Sequence, residues 1–319
     1  MLCWRPETAG LHPPGRRGFE RHTVNTNENH ATVRIGQRLV GDGQPCYIIA
    51  EIGINHNGDI DLARRLISVT VAAGCDAVKF QKRTVDVVYT PEELQKLRES
   101  PFGTTNGDLK RGLEFGQDEY ALIDRYCREV KMPWFASCWD EESVDFVDHF
   151  NPPCYKIASA SLTDDHLLRH TRSKGKPIIL STGMSTLEEI DHAVEVLGTG
   201  DLILLHACSV YPAHYPELNL KAITTLKERY RVPVGYSGHE TGLPASVGAV
   251  ALGACCIERH ITLDRAMWGS DQAASLEPNG ITKIVGYIRM VEQSLGDGVK
   301  RVVEREQPII KKLRRVGAA

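Results

Sequence analysis

A chain of 319 residues, 42% hydrophobic and 25% charged, is long enough to bury one large core, and a single barrel domain with short extensions fits that size. Its net charge of −3 and pI near 6.5 supply no basic field that would concentrate a polyanion, which argues against nucleic acid as a partner. No apolar run approaches the ~20 residues of a membrane span, and the first thirty residues lack a signal-peptide core, so small molecules are the expected partners and the cytoplasm the expected compartment.

The nine cysteines show no Cys-x-x-Cys spacing. Cys46, Cys75, Cys138, Cys208, Cys255 and Cys256 lie within or beside apolar segments, which reads as reduced core residues rather than a disulfide framework. Residues 1–30 mix Pro13, Pro14, Gly15, Arg16 and Arg17 without periodicity and are expected to be a flexible tail. Thr32 to Leu39, with a turn at Gly41-Asp42-Gly43, is expected to form a small β-hairpin ahead of the first buried strand.

Short apolar runs then alternate with amphipathic ones. The expected strands are Tyr47–Ile52, Ala77–Gln81, Trp134–Cys138, Tyr155–Ala158, Ile178–Ser181, Leu202–Ala207, Val234–Tyr236 and Cys256–Ile261. The expected helices are Ile60–Ala73, Asp118–Lys131, Glu142–Phe150, His166–Ser173, Leu187–Leu197, Leu220–Arg229, Ala245–Leu252 and Ile281–Leu295. Strand and helix repeated eight times match a (β/α)8 TIM barrel over residues 31–296, preceded by the hairpin and followed by a basic helical tail at 297–319. The long segment from Thr84 to Phe115 follows the second strand, which in a barrel places it over the active face as a candidate lid.

Barrel enzymes build their sites at the carboxyl ends of the strands, and here most strands end in a polar residue. His239 and His260, 21 residues apart, end the last two strands, and two imidazoles at one mouth point to a divalent metal such as Mn2+ or Mg2+. A lone histidine there would more often be a satisfied barrel residue; its company argues otherwise. Glu51 sits in an otherwise apolar first strand, where a carboxylate needs a cation or donors and an ion pair with a lysine is the bland alternative. Lys79 and Lys156 end the second and fourth strands, and two inward ammonium groups repel unless something anionic lies between them. With Ser137, Ser159, Ser181 and Ser237 they suit a phosphate or carboxylate, although each serine alone reads as a strand cap. A Schiff-base lysine is the other chemistry open to such a barrel, less favoured beside two histidines. Tyr211 and Asp271 lie in active-face loops where a polyhydroxylated substrate would be held, and His56 in the Asn-Gly turn loop after the first strand reads equally as a loop residue.

The runs IAEIGINHNG, AVKFQK, YKIAS, LSTGM, GYSGHETG, ERHITLD and GSDQAASLEP together resemble the sialic acid (N-acetylneuraminate) synthase family, over about Gln44 to Gly296. That resemblance implies a (β/α)8 barrel that condenses phosphoenolpyruvate with an open-chain amino-sugar aldehyde, N-acylmannosamine-like with or without a 6-phosphate, giving a nonulosonic acid and phosphate. It further implies metal on His239 and His260, and phosphoenolpyruvate on Lys79, Ser137, Lys156, Ser159, Ser181 and Ser237. Glu51 falls on the family's essential glutamate, with Asp271 also in a catalytic place, and the sugar contacts fall on Tyr211 and Asp271. The family's barrels pair, which implies a homodimer.

Three departures matter. Ser161 stands where the family usually has an acidic residue, Gln272 where it often has histidine, and the chain stops at Ala319 where most members continue into an antifreeze-like domain that lends an arginine to the partner's site. They leave two rivals: a phosphoenolpyruvate-dependent synthase for a sugar without the N-acyl group, and a barrel that binds an anionic sugar without turnover.

Overall fold

The computed structural model describes residues 31–316, so the tail expected over 1–30 lies outside the described residues. Eight parallel strands close a barrel: β1 Tyr47–Gly53, β2 Ala77–Lys82, β3 Trp134–Cys138, β4 Tyr155–Ile157, β5 Ile178–Ser181, β6 Leu202–Ala207, β7 Val234–Gly238 and β8 Cys256–His260, with β8 paired back onto β1. Helices cover the outside: α1 Ile60–Ala73, α2 Gln117–Glu129, α3 Glu141–Asp148, α4 Asp165–Ser173, α5 Leu187–Leu197, α6 Ala222–Tyr230, α7 Pro244–Ala251 and α8 Pro278–Leu295. The expected elements are all present, with ends moved by a few residues.

Strands covered on both faces read as continuous apolar runs, and all seven residues of β1 are buried. Outward residues such as Ile48, Val78, Ile178 and Ile257 pack under the helices. In α1, Leu62, Leu66 and Ile67 with Ala63 and Thr70 recur at helical spacing and form the buried stripe; Asp59 caps its start and Gly74, at φ 79°, ends it. Truncating Leu66, which has no exposed surface, to alanine costs about 2–5 kcal/mol.

The hairpin pairs Thr32–Ile35 with Arg38–Gly41, so its turn is Gly36-Gln37 and not the expected Gly41-Asp42-Gly43. A two-residue turn needs a positive φ, which Gly36 supplies at 55°. Val33, Ile35 and Val40 pack on the inward Tyr47, Ile49, Ala77, Phe135, Ile179 and Ile203, so the hairpin plugs the amino-terminal end of the barrel.

Thr84–Phe115 lies at the carboxyl end of β2 and is built, not irregular: short helices Val85–Val88 and Pro91–Gln95, a strand pair Leu97–Ser100 with Gly103–Thr105, and a helix Asn106–Leu113. Past α8, the expected basic tail forms a turn at Glu304–Glu306 and a seven-residue helix, Gln307–Leu313. Among the described residues no helix is long and apolar enough to cross a membrane, and the eight described cysteines are free thiols.

Candidate active site

The period-2 alternation of the strands sorts the barrel interior into layers. On β1 the inward series is Tyr47, Ile49, Glu51; on β8 it is Cys256, Glu258, His260; on β3, Phe135 then Ser137. Seven of the eight strands present a polar residue at the carboxyl end of this inward series, above apolar or small ones; β6 ends in Ala207 instead. Register does the rest: Glu51 lies opposite both Lys79 and His260, Ser237 opposite Glu258, and Ser137 opposite Lys156. The result is a cavity of about 170 Å³ walled by Glu51, Lys79, Ser137, Lys156, Ser159, Ser181, Tyr211, Ser237, His239 and His260 among others. Nine of those ten side chains are buried or half-buried, and Tyr211 closes the rim. A larger cleft of about 1060 Å³ lies at the opposite end beside the hairpin, but its Arg38 and Arg128 are already paired with Asp76 and Asp124.

The cavity floor is a four-charge cluster. Lys79 Nζ lies 3.1 Å from Glu51 Oε2 and 3.4 Å from Glu258 Oε2, and donates to Ser137 Oγ at 2.9 Å. Lys156 Nζ donates to Ser181 Oγ at 2.7 Å and lies 3.8 Å from Glu258 Oε1, which also accepts from Ser237 Oγ at 2.9 Å. The repulsion expected between the two lysines is therefore already met by carboxylates of the chain itself, chiefly Glu258 between them. Burial alone would lift the Glu258 carboxyl, but the Lys156 and Lys79 ammonium groups outweigh it and hold it at about 2. Glu51 goes the other way: burial, with Glu258 adding its charge, pushes it up to about 7 against the pull of Lys79 and the Gln81 amide. Burial and the neighbouring Lys79 bring Lys156 down to about 8, while Lys79, nearer both carboxylates, is raised.

His239 and His260 face the same mouth with ring centroids 5.7 Å apart. Nδ1 of His239 lies 2.6 Å from the Cys208 carbonyl, which only accepts, so that nitrogen carries the proton and Nε2 keeps its lone pair, here accepting from the Tyr211 hydroxyl at 2.8 Å. Burial, and then His260, lowers His239 to about 4, and burial lowers His260 as well. His260 Nδ1 is buried without a hydrogen-bond partner, its nearest acid being Asp271 Oδ2 at 3.7 Å. Two neutral imidazoles with a lone pair to offer fit a divalent ion whose other positions come from oxygen ligands. No group of three or more His, Cys, Asp or Glu side chains among the described residues is arranged to hold one alone.

Ser159 opens the turn Ser159–Ser161, where its hydroxyl accepts from the Gly183 amide at 3.0 Å; Ser159 and Ala160 face the cavity and Ser161 is buried. Asp271 stands outside the cavity wall, behind His260. Gln272 is buried and bonds the Trp268 carbonyl at 3.3 Å, so it braces the loop after β8. His56 does not reach the cavity: it stacks on Phe115 at 4.0 Å and accepts from the Gly58 amide.

Sequence reasoning missed Glu258 and Gln81. Each stands two residues from a residue it did single out, His260 and Lys79, and so faces the same side of its strand. That spacing was the available signal.

The NeuB family model matches residues 66–300. The human N-acetylneuraminate-9-phosphate synthase is 38% identical over 281 residues, covering 86% of this chain and 78% of that protein. The N,N'-diacetyllegionaminic acid synthase of Legionella pneumophila is 36% identical over 286 residues, covering 86% and 80%. Among solved structures, the N-acetylneuraminic acid (sialic acid) synthetase of Leptospira borgpetersenii, in complex with citrate, superposes with a TM-score of 0.80 at 31% identity, covering 91% of this chain and all of that one. With more than half of the chain matched by the family model and relatives above 30% identity over most of it, the protein belongs to the NeuB family.

Proposed function

We propose that this protein condenses phosphoenolpyruvate with the open-chain aldehyde of an N-acylated amino sugar, releasing phosphate and forming a nonulosonic acid. The observation that carries the reading is the cavity floor, where the Lys79 and Lys156 ammonium groups converge with the Ser137, Ser181 and Ser237 hydroxyls directly beneath a pair of neutral imidazoles. The names of the human and Legionella relatives, both synthases of such acids, support the same class of product.

In this reading Lys79 and Lys156 hold the phosphate and carboxylate of phosphoenolpyruvate, with Ser137, Ser159 and Ser181 completing the donors and Ser237 joining them when its hydroxyl turns from Glu258. His239 and His260 would hold a divalent ion, Mn2+ or Mg2+, which supplies Lewis acidity at the aldehyde oxygen. C3 of phosphoenolpyruvate attacks the aldehyde carbon and water adds at C2. Glu51, raised to about 7, takes the proton that water loses, and breakage of the C2–O bond then expels phosphate. Tyr211 at the rim would meet the sugar hydroxyls, and Asp271, outside the wall behind His260, would meet those that extend past it. The free thiols and the nature of the substrates fit a cytoplasmic enzyme.

The test is product mass spectrometry with phosphoenolpyruvate, a divalent metal and a panel of aldehydes: N-acetylmannosamine, its 6-phosphate and unacylated hexoses. A nonulosonic acid from an N-acylated acceptor is expected. Preference for an unacylated sugar, or phosphoenolpyruvate binding with no turnover of any acceptor, would replace the reading with one of its rivals.

A further inference from the structure

Arg83, the first residue past β2, is 5% exposed, and its guanidinium meets an aromatic ring, a hydroxyl, an amide and a carboxylate. It stacks 4.7 Å over the Trp139 ring, donates from Nη1 to the Tyr89 hydroxyl at 2.9 Å, and places Nε 3.2 Å from Glu114 Oε1. Its Nη2 donates to Gln81 Oε1. Tyr89 follows the helix Val85–Val88 and Glu114 follows the helix Asn106–Leu113, so the two groups come from opposite ends of the segment lying over the mouth. Gln81 in turn donates from Nε2 to Glu51 Oε1 at 3.0 Å.

A glutamine amide has two nearly equivalent orientations, and the wrong one would set its carbonyl oxygen against the Glu51 carboxylate. Arginine carries donors only, so contact with Arg83 selects the orientation in which Gln81 Oε1 faces the guanidinium and its N–H faces Glu51. We propose that Arg83 is a positioning residue: it fixes the Gln81 amide against Glu51 and, through Tyr89 and Glu114, makes that orientation depend on the Thr84–Phe115 segment being seated. The catalytic consequence rests on the function proposed above; the arrangement itself does not.

The test uses the full chain with phosphoenolpyruvate, a divalent metal and whichever aldehyde it accepts, comparing R83M, R83K, Q81A and R83M/Q81A. A residue acting through a neighbour on a reacting group costs about 10–100-fold in activity when removed, so R83M and Q81A should each lower kcat by that order while KM for phosphoenolpyruvate moves much less. R83K, which keeps a donor, should recover part of the loss. The double variant should fall no further than the worse single one. Losses that multiply in the double variant, or an unchanged kcat in a folded R83M, would overturn the proposal. If the wild-type chain turns over no aldehyde, it is the reading of the site that has failed. Arg83 is then judged by hydrogen exchange, where R83M should speed exchange of the Tyr89 and Glu114 amides; unchanged rates there would also overturn it.

Discussion

Replacing Glu258 by glutamine removes one buried negative charge and little else, since the amide keeps an acceptor for the Ser237 hydroxyl. Lys79 would still have Glu51 at 3.1 Å, whereas Lys156 would lose the one carboxylate among the described residues within salt-bridge reach of it, at 3.8 Å. At an effective dielectric of about 20, attractions at these distances are worth roughly 4–5 kcal/mol each. The loss is capped, because Lys156, already lowered to about 8, can shed its proton rather than stay charged and unpaired. Breaking a buried pair from one side costs about 3–5 kcal/mol, and we take the lower end, ~3 kcal/mol. At ~2 °C per kcal/mol for a domain of this size, thermal unfolding followed by circular dichroism at pH 7.5 should drop by ~6 °C. Adding Lys156→Met should return most of that loss, since the stranded cation goes with it. An E258Q protein melting within a degree of wild type, or a double variant whose losses add, would refute the claim that Glu258 neutralises the lysine pair.

Lys79→Met and Lys156→Met should each weaken phosphoenolpyruvate binding by about 10–100-fold in calorimetry, the equivalent of one or two charge-assisted hydrogen bonds; equal affinity would place the anion elsewhere. Binding should also take up protons near pH 7.5, because an entering anion raises Glu51 (about 7) and Lys156 (about 8), so heats should vary with the ionisation enthalpy of the buffer. Mn2+ titrated into the protein and followed by electron paramagnetic resonance should bind in wild type and lose that affinity in H239A and H260A; identical binding would remove the metal role. Burial, aided by Arg83, holds His56 down at about 3 against its ordinary 6.5, so below pH 6.5 the unfolded chain takes a proton that the fold refuses. Its contribution is therefore full above 6.5 and lost by up to about 1.4 kcal/mol per pH unit toward 3, a slope that H56Q should flatten in urea titrations.

The barrel was legible because its strands and helices differ in period, and strand-end polar residues such as Lys79 and Ser181 announce the carboxyl face by interrupting apolar runs. Glu258 escaped for a physical reason: in ERH it reads as one member of a charged triplet, and only pairing with β7 and β1 shows that Glu258 and His260 turn inward while Arg259 turns outward to Glu240 at 3.0 Å. The hairpin turn was misplaced because both Gly36 and the Gly41–Gly43 run satisfy turn chemistry, and the choice between them is made by pairing, not by local preference. Thr84–Phe115 read as a long candidate lid without elements of its own because those elements are three to eight residues long, too short for periodicity to register. Its order comes from tertiary contacts such as Thr84 with Asp140 and Lys82 with the Phe115 carbonyl.

The two ends of the barrel are energetically linked. The charges at the carboxyl end interact strongly only if the space beneath them is dry, and that space is closed by Val33, Ile35 and Val40 of the hairpin, each at most 3% exposed, against Tyr47, Ile49 and Phe135. A wet lower half would raise the local dielectric, weaken the Glu258 attraction to both lysines, and let Glu51 fall back toward the ordinary carboxylate range. A hairpin that contributes no side chain to the cavity wall thus helps set the protonation states within it. That is why an element at the amino-terminal face belongs to the chemistry as well as to stability: the apolar layer it seals keeps Glu51 near 7, where it is poised to take up a proton, while Glu258, two positions below His260 on the neighbouring strand, stays ionised.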